Sequence, residues 1–334
     1  MSDETPPSVT MIGSNRTRMW GLLPEERVRR IAAKAGLHMT GPQADGPQLL
    51  VNSDYVFDPQ WFGFMRSRPN SVLTIDGVPA IAHAGSGAAA AADQMERGQV
   101  PNGLEVVPAE EHRNFYNRTL RKTEWPFLER LTPEAVPAIE RRTYYGAYKG
   151  VTDILTKYLW PEWALVLARL AARIGMTPNM VTSVGALFNL AAMYAFYRGE
   201  YWIGMALALV FMVLDTVDGK LARCTITSSK WGEVFDHGID LVHPPFWWWA
   251  WGAGLSHWGL AFSPGTFATV IAVIVIGYVV QRLIEGAFLR RFGMHIHVWE
   301  RFDSQFRLIT ARRNPNMVIL FVATLFGRPD IGLL

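Results

Sequence analysis

A chain that crosses a lipid bilayer has few structural options, because the hydrocarbon core offers no water to unpaired backbone N–H and C=O groups. A crossing helix needs about 20 mainly apolar residues, and from Met180 onward this sequence carries long apolar runs rich in Trp, Phe and Met. Five segments suit that role: 181–197, 202–221, 234–255, 267–288 and a short one at 317–326. The fourth holds the strongest run, "ATVIAVIVIGYVV", and the third carries the tryptophans of "FWWWAW", which place lipid nearby. Up to about Glu140, by contrast, polar, charged and apolar residues mix as in a soluble protein.

Charge orients these spans. Cytoplasmic loops collect Lys and Arg. Arg223 and Lys230 follow the second span, and Arg290, Arg291, Arg301, Arg307, Arg312 and Arg313 follow the fourth, whereas the two opposite loops hold only Arg198. The amino terminus and the loop after span two are therefore expected on the cytoplasmic side. A net charge of +3 is small and argues against a nucleic-acid partner. The single cysteine, Cys224, excludes an intramolecular disulfide and a multi-cysteine zinc site. The opening "MSDETPPSVT" has no basic stretch followed by an apolar core, so no cleavable signal peptide is expected. Ahead of the first span, "DILTKYLWPEWALVLARLAARIG" has apolar residues at helical spacing and suits an interfacial helix anchored by Trp160 and Trp163. An ordinary helix packed under the membrane domain fits it equally. Pro178 then starts a new helix, with Asn179 and Thr182 in its first turn.

The second span ends in acid. In "LDTVDGKLARCTITSSKWGEVFDHGID", Asp215 and Asp218 are three apart and Asp236 and Asp240 four apart, spacings that share one helix face. Spans two and three are joined by a short loop, so the four carboxylates are expected to converge. Unpaired acids at membrane depth need a partner or a water-filled cavity. All-oxygen donors select hard cations such as Mg²⁺ or Mn²⁺, and two carboxylates from each helix suffice for two such ions. Gly219 and Gly232 allow close approach of a nucleotide or a second helix, and Arg223 offers a planar fork to phosphate. Buried acids also mark ion pathways, so a cation transporter is the rival reading; it leaves Gly219, Ala222 and Arg223 without a role.

Asp215, Asp218, Gly219, Ala222, Arg223, Gly232, Asp236 and Asp240 match every position of a gapped signature, DxxDGxxAR followed after eight residues by GxxxDxxxD. In this the chain resembles the CDP-alcohol phosphatidyltransferase family over about residues 145–334. The resemblance implies a transferase that moves a substituted phosphoryl group from a CDP-alcohol, such as CDP-diacylglycerol, to an acceptor hydroxyl and releases CMP. It implies a homodimer with six crossings, of which five are counted here, and two divalent cations held by Asp215, Asp218, Asp236 and Asp240. Asp240 would also act as general base. Asn179, Thr182, Asp218, Gly219, Ala222, Arg223 and Ser229 would hold the CDP moiety. Arg307, Arg312 and Arg313, in "ERFDSQFRLITARRNPN", are candidates to receive a polyol-phosphate acceptor because guanidinium forks match phosphate geometry; topogenic charge is the plain alternative. Gln281, Arg282 and Glu285 are candidates to line the same pocket.

The expected fold is mainly α: a polytopic helical membrane domain of five to six transmembrane helices plus an interfacial helix, with a small α/β cytoplasmic domain in front. The expected boundaries are 1–125, 126–178 for the linker and interfacial helix, and 179–334. Within the first domain, "QLLVNSDYVFDPQWFGFM" reads as strand, turn and helix, and "SVLTIDGVPAIAHA" as two strands around "DG". With "GSNRTRMWGL" and Asp54, it resembles a sugar-phosphate nucleotidyltransferase. Arg16 stands where that family's phosphate loop has glycine, so this copy is expected to have lost catalysis. A bifunctional enzyme that also makes its CDP-alcohol is the alternative.

Overall fold

The computed structural model describes residues 6–41, 46–85, 87–112, 114–117, 120–309 and 313–334. The chain divides into two compact units, Met1–Tyr148 with Arg223–Thr227, and Lys149–Ala222 with Ser228–Leu334.

The first unit is built on β1 (Ser8–Ile12), α1 (Pro24–Lys34), β2 (Gln48–Asn52), β3 (Tyr55–Phe57), α2 (Pro59–Arg66), β4 (Ser71–Ile75), β5 (Val78–Ala84), α3 (Ala88–Glu96) and β6 (Glu105–Pro108). Short strands β7 (Phe115–Asn117), β8 (Lys122–Glu124) and β9 (Leu128–Arg130) precede α4 (Val136–Gly146). The main sheet runs β1-β2-β5-β4-β6, with β1 parallel to β2, β4 parallel to β6, and β5 antiparallel to both its neighbours. Successive strand residues face opposite sides, and here both sides are covered. Leu49 and Val51 pack with Val28 and Ile31 of α1 and Trp61, Phe62 and Met65 of α2, while Leu50 packs with Ala88, Ala92 and Met95 of α3. The β4–β5 hairpin turns at Asp76 and Gly77, whose φ angles of 49° and 76° fit the primed turn that "DG" favours. Helix α4 belongs to this unit: Trp20 donates from its backbone N to Glu140 and from Nε1 to Thr143, each at 2.9 Å.

The second unit is helical: α5 (Ile154–Tyr158), α6 (Pro161–Arg173), α7 (Pro178–Tyr197), α8 (Tyr201–Cys224), α9 (Lys230–Gly254), α10 (Pro264–Phe292), α11 (Arg301–Ile309), α12 (Arg313–Leu325) and α13 (Pro329–Leu333). The final residues of α8, Arg223 and Cys224, fall in the first unit. The amphipathic stretch at 153–175 is not one helix, since Pro161 starts α6 in the first-turn position where a missing N–H costs nothing. Trp160 is not a headgroup anchor. It is fully buried, and its Nε1 donates to Thr216 Oγ1 of α8 at 3.1 Å, the partner a buried indole requires; Trp163 remains exposed. The tryptophans of α9 likewise serve protein packing more than lipid. Trp247, Trp248 and Trp251 are buried; Trp251 Nε1 donates to Pro329 O at 2.9 Å, and Tyr201 donates its hydroxyl proton to Trp251 O at 2.6 Å.

Among the described residues, α7, α8 and α10 are long and apolar enough to cross a membrane. This is fewer than the five spans read from hydropathy. Helix α9 has the length, but Lys230, Glu233, Asp236 and Asp240 lie in its first three turns; α12, at 13 residues, reaches only about 20 Å. Helix α10 buries none of its residues against the rest of the chain.

Helices α7 and α9 pack tightly at Gly254, where an added Cβ would stand 2.0 Å from the Phe196 carbonyl oxygen. That obstacle is backbone and cannot rotate aside. Gly254→Ala is expected to cost at least the roughly 1–3 kcal/mol typical of overpacking, read as a lowered melting temperature of the detergent-purified chain.

Candidate active site

Helix α8 carries Asp215 and Asp218, and α9 carries Asp236 and Asp240. Both pairs have the spacing of one helix face. Ser229 starts α9 by accepting a hydrogen bond from Gly232 N at 3.0 Å, and Thr177 starts α7 by accepting from Met180 N. These two starts lie together: a Cβ on Gly232 would come within 3.0 Å of Asn179 Oδ1 and 3.1 Å of Ser229 Oγ. A residue without a side chain at 232 is thus what lets Asn179 of α7 and Ser229 sit side by side. Gly219 and Ala222 follow Asp218 on α8, and Arg223 is the next residue.

Asp218 is buried. Its Oδ2 accepts from the hydroxyl of Thr182 on α7, while its Oδ1 is buried with no hydrogen-bond partner among the described residues. Asp215 and Asp240 are joined through Arg313, the first residue of α12. Nη2 donates to Asp215 Oδ2 at 2.7 Å and Nη1 donates to Asp240 Oδ1. The guanidinium also lies 4.8 Å over the ring of Phe211. The side chains of Arg313 and Asp215 are 12% and 20% exposed, against 41% for Asp240. Asp215 lies within electrostatic reach of Asp218, Asp236 and Asp240, so the four signature acids are neighbours in the fold.

Among the described residues, no three or more His, Cys, Asp or Glu side chains are drawn together tightly enough to hold a metal ion. Arg313 supplies the positive charge between Asp215 and Asp240. The donor set still suits a hard divalent cation, because every donor is a carboxylate oxygen and the orphaned Asp218 Oδ1 lacks the partner that a buried charge requires.

Of the arginines proposed for an acceptor, Arg313 reaches the carboxylates, Arg307 lies on α11, and Arg312 falls outside the described residues. Arg282 donates to Glu285 within α10 at 3.1 Å. Sequence reasoning passed over His243. It is buried one turn beyond Asp240 and packs edge-on against Phe211 and Trp247, its Nδ1 is 2.7 Å from Ile239 O, and its Nε2 has no partner among the described residues. Its spacing in "DLVH" was the available signal.

Residues 175–312 match the family described as CDP-alcohol phosphatidyltransferase. The chain is 30% identical over 155 residues to a phosphatidylinositol phosphate synthase of Mycolicibacterium smegmatis, covering 44% of this chain and 68% of that protein. It is 29% identical over 171 residues to archaetidylinositol phosphate synthase of Pyrococcus horikoshii, covering 50% and 79% respectively. Over 133 residues it is 31% identical to cholinephosphotransferase 1 of Gallus gallus, covering 36% of this chain but only 38% of that protein. The chain belongs to the CDP-alcohol phosphatidyltransferase family.

The Thr182 hydroxyl orients Asp218. Thr182→Val keeps the volume and removes the donor, leaving the buried Asp218 carboxyl without its side-chain partner, which is expected to cost about 1–3 kcal/mol. A lowered melting temperature of the detergent-purified variant is the expected outcome.

Proposed function

We propose that this chain transfers a substituted phosphoryl group from a CDP-alcohol, CDP-diacylglycerol in the first instance, to the hydroxyl of a polyol or polyol phosphate, with release of CMP. The observation that carries the reading is the neighbourhood of Asp215, Asp218, Asp236 and Asp240, with Arg313 bridging Asp215 and Asp240. Two relatives are named for making inositol phosphate lipids, which favours a phosphorylated polyol as acceptor.

In this reading Asp215, Asp218, Asp236 and Asp240 would hold two divalent cations, Mg²⁺ or Mn²⁺, which would supply positive charge to the phosphoryl oxygens. Asn179, Thr182, Gly219, Ala222, Arg223 and Ser229 keep the CDP moiety in place beside Asp218, with Gly232 allowing the close approach. Asp240 takes the proton of the acceptor hydroxyl; its carboxylate is more exposed than that of Asp215, as a group facing an incoming substrate should be. The acceptor oxygen bonds to the phosphorus that carries the donor's alcohol, the bond from that phosphorus to the CMP oxygen breaks, and CMP leaves with the electron pair. Arg313 exchanges Asp240 for the acceptor's phosphate, a match of fork to oxyanion, and Arg307 and Arg312 add positive charge on the approach.

In the same reading the protein lies in the cytoplasmic membrane with its amino terminus and active site on the cytoplasmic side, the orientation that the Lys and Arg of the loops favour, and α9 and the short α12 add to the three apolar helices. The uncovered apolar surface of α10 suits lipid and the contact of a homodimer. The first domain, 1–125, acts without nucleotidyl transfer; Asp54, the residue that would hold its metal, accepts a hydrogen bond from Asn15 at 3.2 Å.

Membranes containing the chain, given labelled CDP-diacylglycerol and a panel of polyols and polyol phosphates, should yield a product whose mass identifies the acceptor, with CMP released in equal amount. No CMP from any pairing would refute the reading. Chelation with EDTA should stop turnover, and added Mg²⁺ or Mn²⁺ should restore it. Asp240→Asn should abolish turnover while CDP still binds; turnover at the parental rate would remove Asp240 from its role.

A further inference from the structure

The connection between the two signature helices is built into the first unit. Helix α8 ends at Cys224 and α9 begins at Lys230, and Arg223–Thr227 clusters with Met1–Tyr148. Cys224, Thr225 and Ile226 are buried there. Two arginines of α1 grip the backbone: Arg27 donates from Nη1 to Cys224 O at 2.9 Å and from Nη2 to Phe57 O at 3.3 Å, and Arg30 donates from Nη1 to Thr225 O at 2.9 Å. The carbonyls at a helix end have lost their intrahelical donors, and cations are favoured there. The guanidinium groups answer both needs. Burial pushes Arg27 down to about 10, so it remains charged at neutral pH.

Ile226 completes the grip. Its side chain joins the apolar core of the first unit, beside the residues of α1, α2 and the sheet. Its φ of 58° is left-handed, a conformation a β-branched residue keeps only where its surroundings over-determine it. Carbonyl contacts and a filled apolar socket together supply that constraint.

We propose that the first unit is a positioning clamp, in which Arg27, Arg30 and the Ile226 socket hold Arg223–Thr227 in one conformation and so orient Arg223 and the start of α9 for nucleotide binding. The inference rests on the reaction proposed above, in which Arg223 and Ser229 contact the CDP moiety. Arg27 and Arg30 act through the chain itself: Arg223 is bonded directly to Cys224, and Ser229 follows Thr227 by two residues. Holding a binding loop in its bound conformation raises affinity by lowering the ordering cost, so its loss falls on nucleotide affinity before turnover.

The test uses the full chain in lipid nanodiscs with Mn²⁺, and CDP as the probe. Arg30 is the residue to change first, because its side chain is 29% exposed and lies outside the core. Arg30→Ala should speed amide exchange at 224–228 and raise both the Kd for CDP and the KM for the CDP-alcohol by about 3- to 30-fold, with kcat and the acceptor KM nearly unchanged. Arg30→Lys should recover most of the affinity, and Arg27→Lys should show the larger loss of the two conservative changes. Unchanged exchange in Arg30→Ala overturns the clamp, as does faster exchange with an unaltered Kd for CDP. Wild-type protein that binds no CDP overturns the proposed reaction instead, and the exchange comparison still decides whether Arg30 holds the connector.

Discussion

Negative charge inside a helical bundle needs positive charge beside it, and the second unit is organised around that need. Asp215 and Asp240 would repel if left to themselves, yet Arg313 bonds to both and is itself nearly enclosed. The ring of Phe211 beneath its guanidinium adds an attractive face for the cation. Asp218 is satisfied on one oxygen by Thr182 and orphaned on the other. One acid pair is thus neutralised by an arginine, while a neighbouring buried carboxylate keeps one oxygen, Asp218 Oδ1, without a hydrogen-bond partner among the described residues.

Close packing makes this possible. The acid-bearing helices α8 and α9 are tied to their neighbours by aromatic side chains, beside the acids at Thr216 and several turns away at Trp251. Trp160 ties the start of α6 to α8, Trp251 ties α9 to α13, and Tyr201 ties α8 to α9. Each spends its polar atom on a partner while burying a large apolar surface. Glycines then set the separations: Gly254 admits the Phe196 carbonyl, Gly185 faces Phe211 and Leu214, and Gly232 brings Asn179 beside Ser229. The contact at Gly254 tolerates little added volume, because the obstacle there is helix backbone and cannot rotate out of the way.

Local patterns were legible where they rest on periodicity. The apolar runs at 181–197, 202–221 and 267–288 became α7, α8 and α10, and the "DG" hairpin formed as its turn chemistry requires. The acid pairs at three and four residues are read from helix geometry alone. Harder to read were features set by partners distant in sequence. Trp160 looked like an interfacial anchor because its apolar neighbours repeat at helical spacing, and no local signal distinguishes lipid from a Thr216 hydroxyl 56 residues away. Hydropathy alone also does not separate α9, where the apolar character lies beyond the acids, or the 13-residue α12 from the three helices that are long and apolar enough to cross.

The sequence by itself determined the family and the chemistry available to it, since residue types at fixed helical spacing specify which groups share a face before any packing is known. It also determined the division between an α/β first part and a helical second part, because hydropathy period follows from backbone geometry. Tertiary structure alone decided that Arg313 stands between Asp215 and Asp240, that Trp160 is buried, and that Cys224, Thr225 and Ile226 belong with the first unit. Those outcomes depend on which surfaces meet, and a chain's local pattern carries no record of partners brought close only by folding.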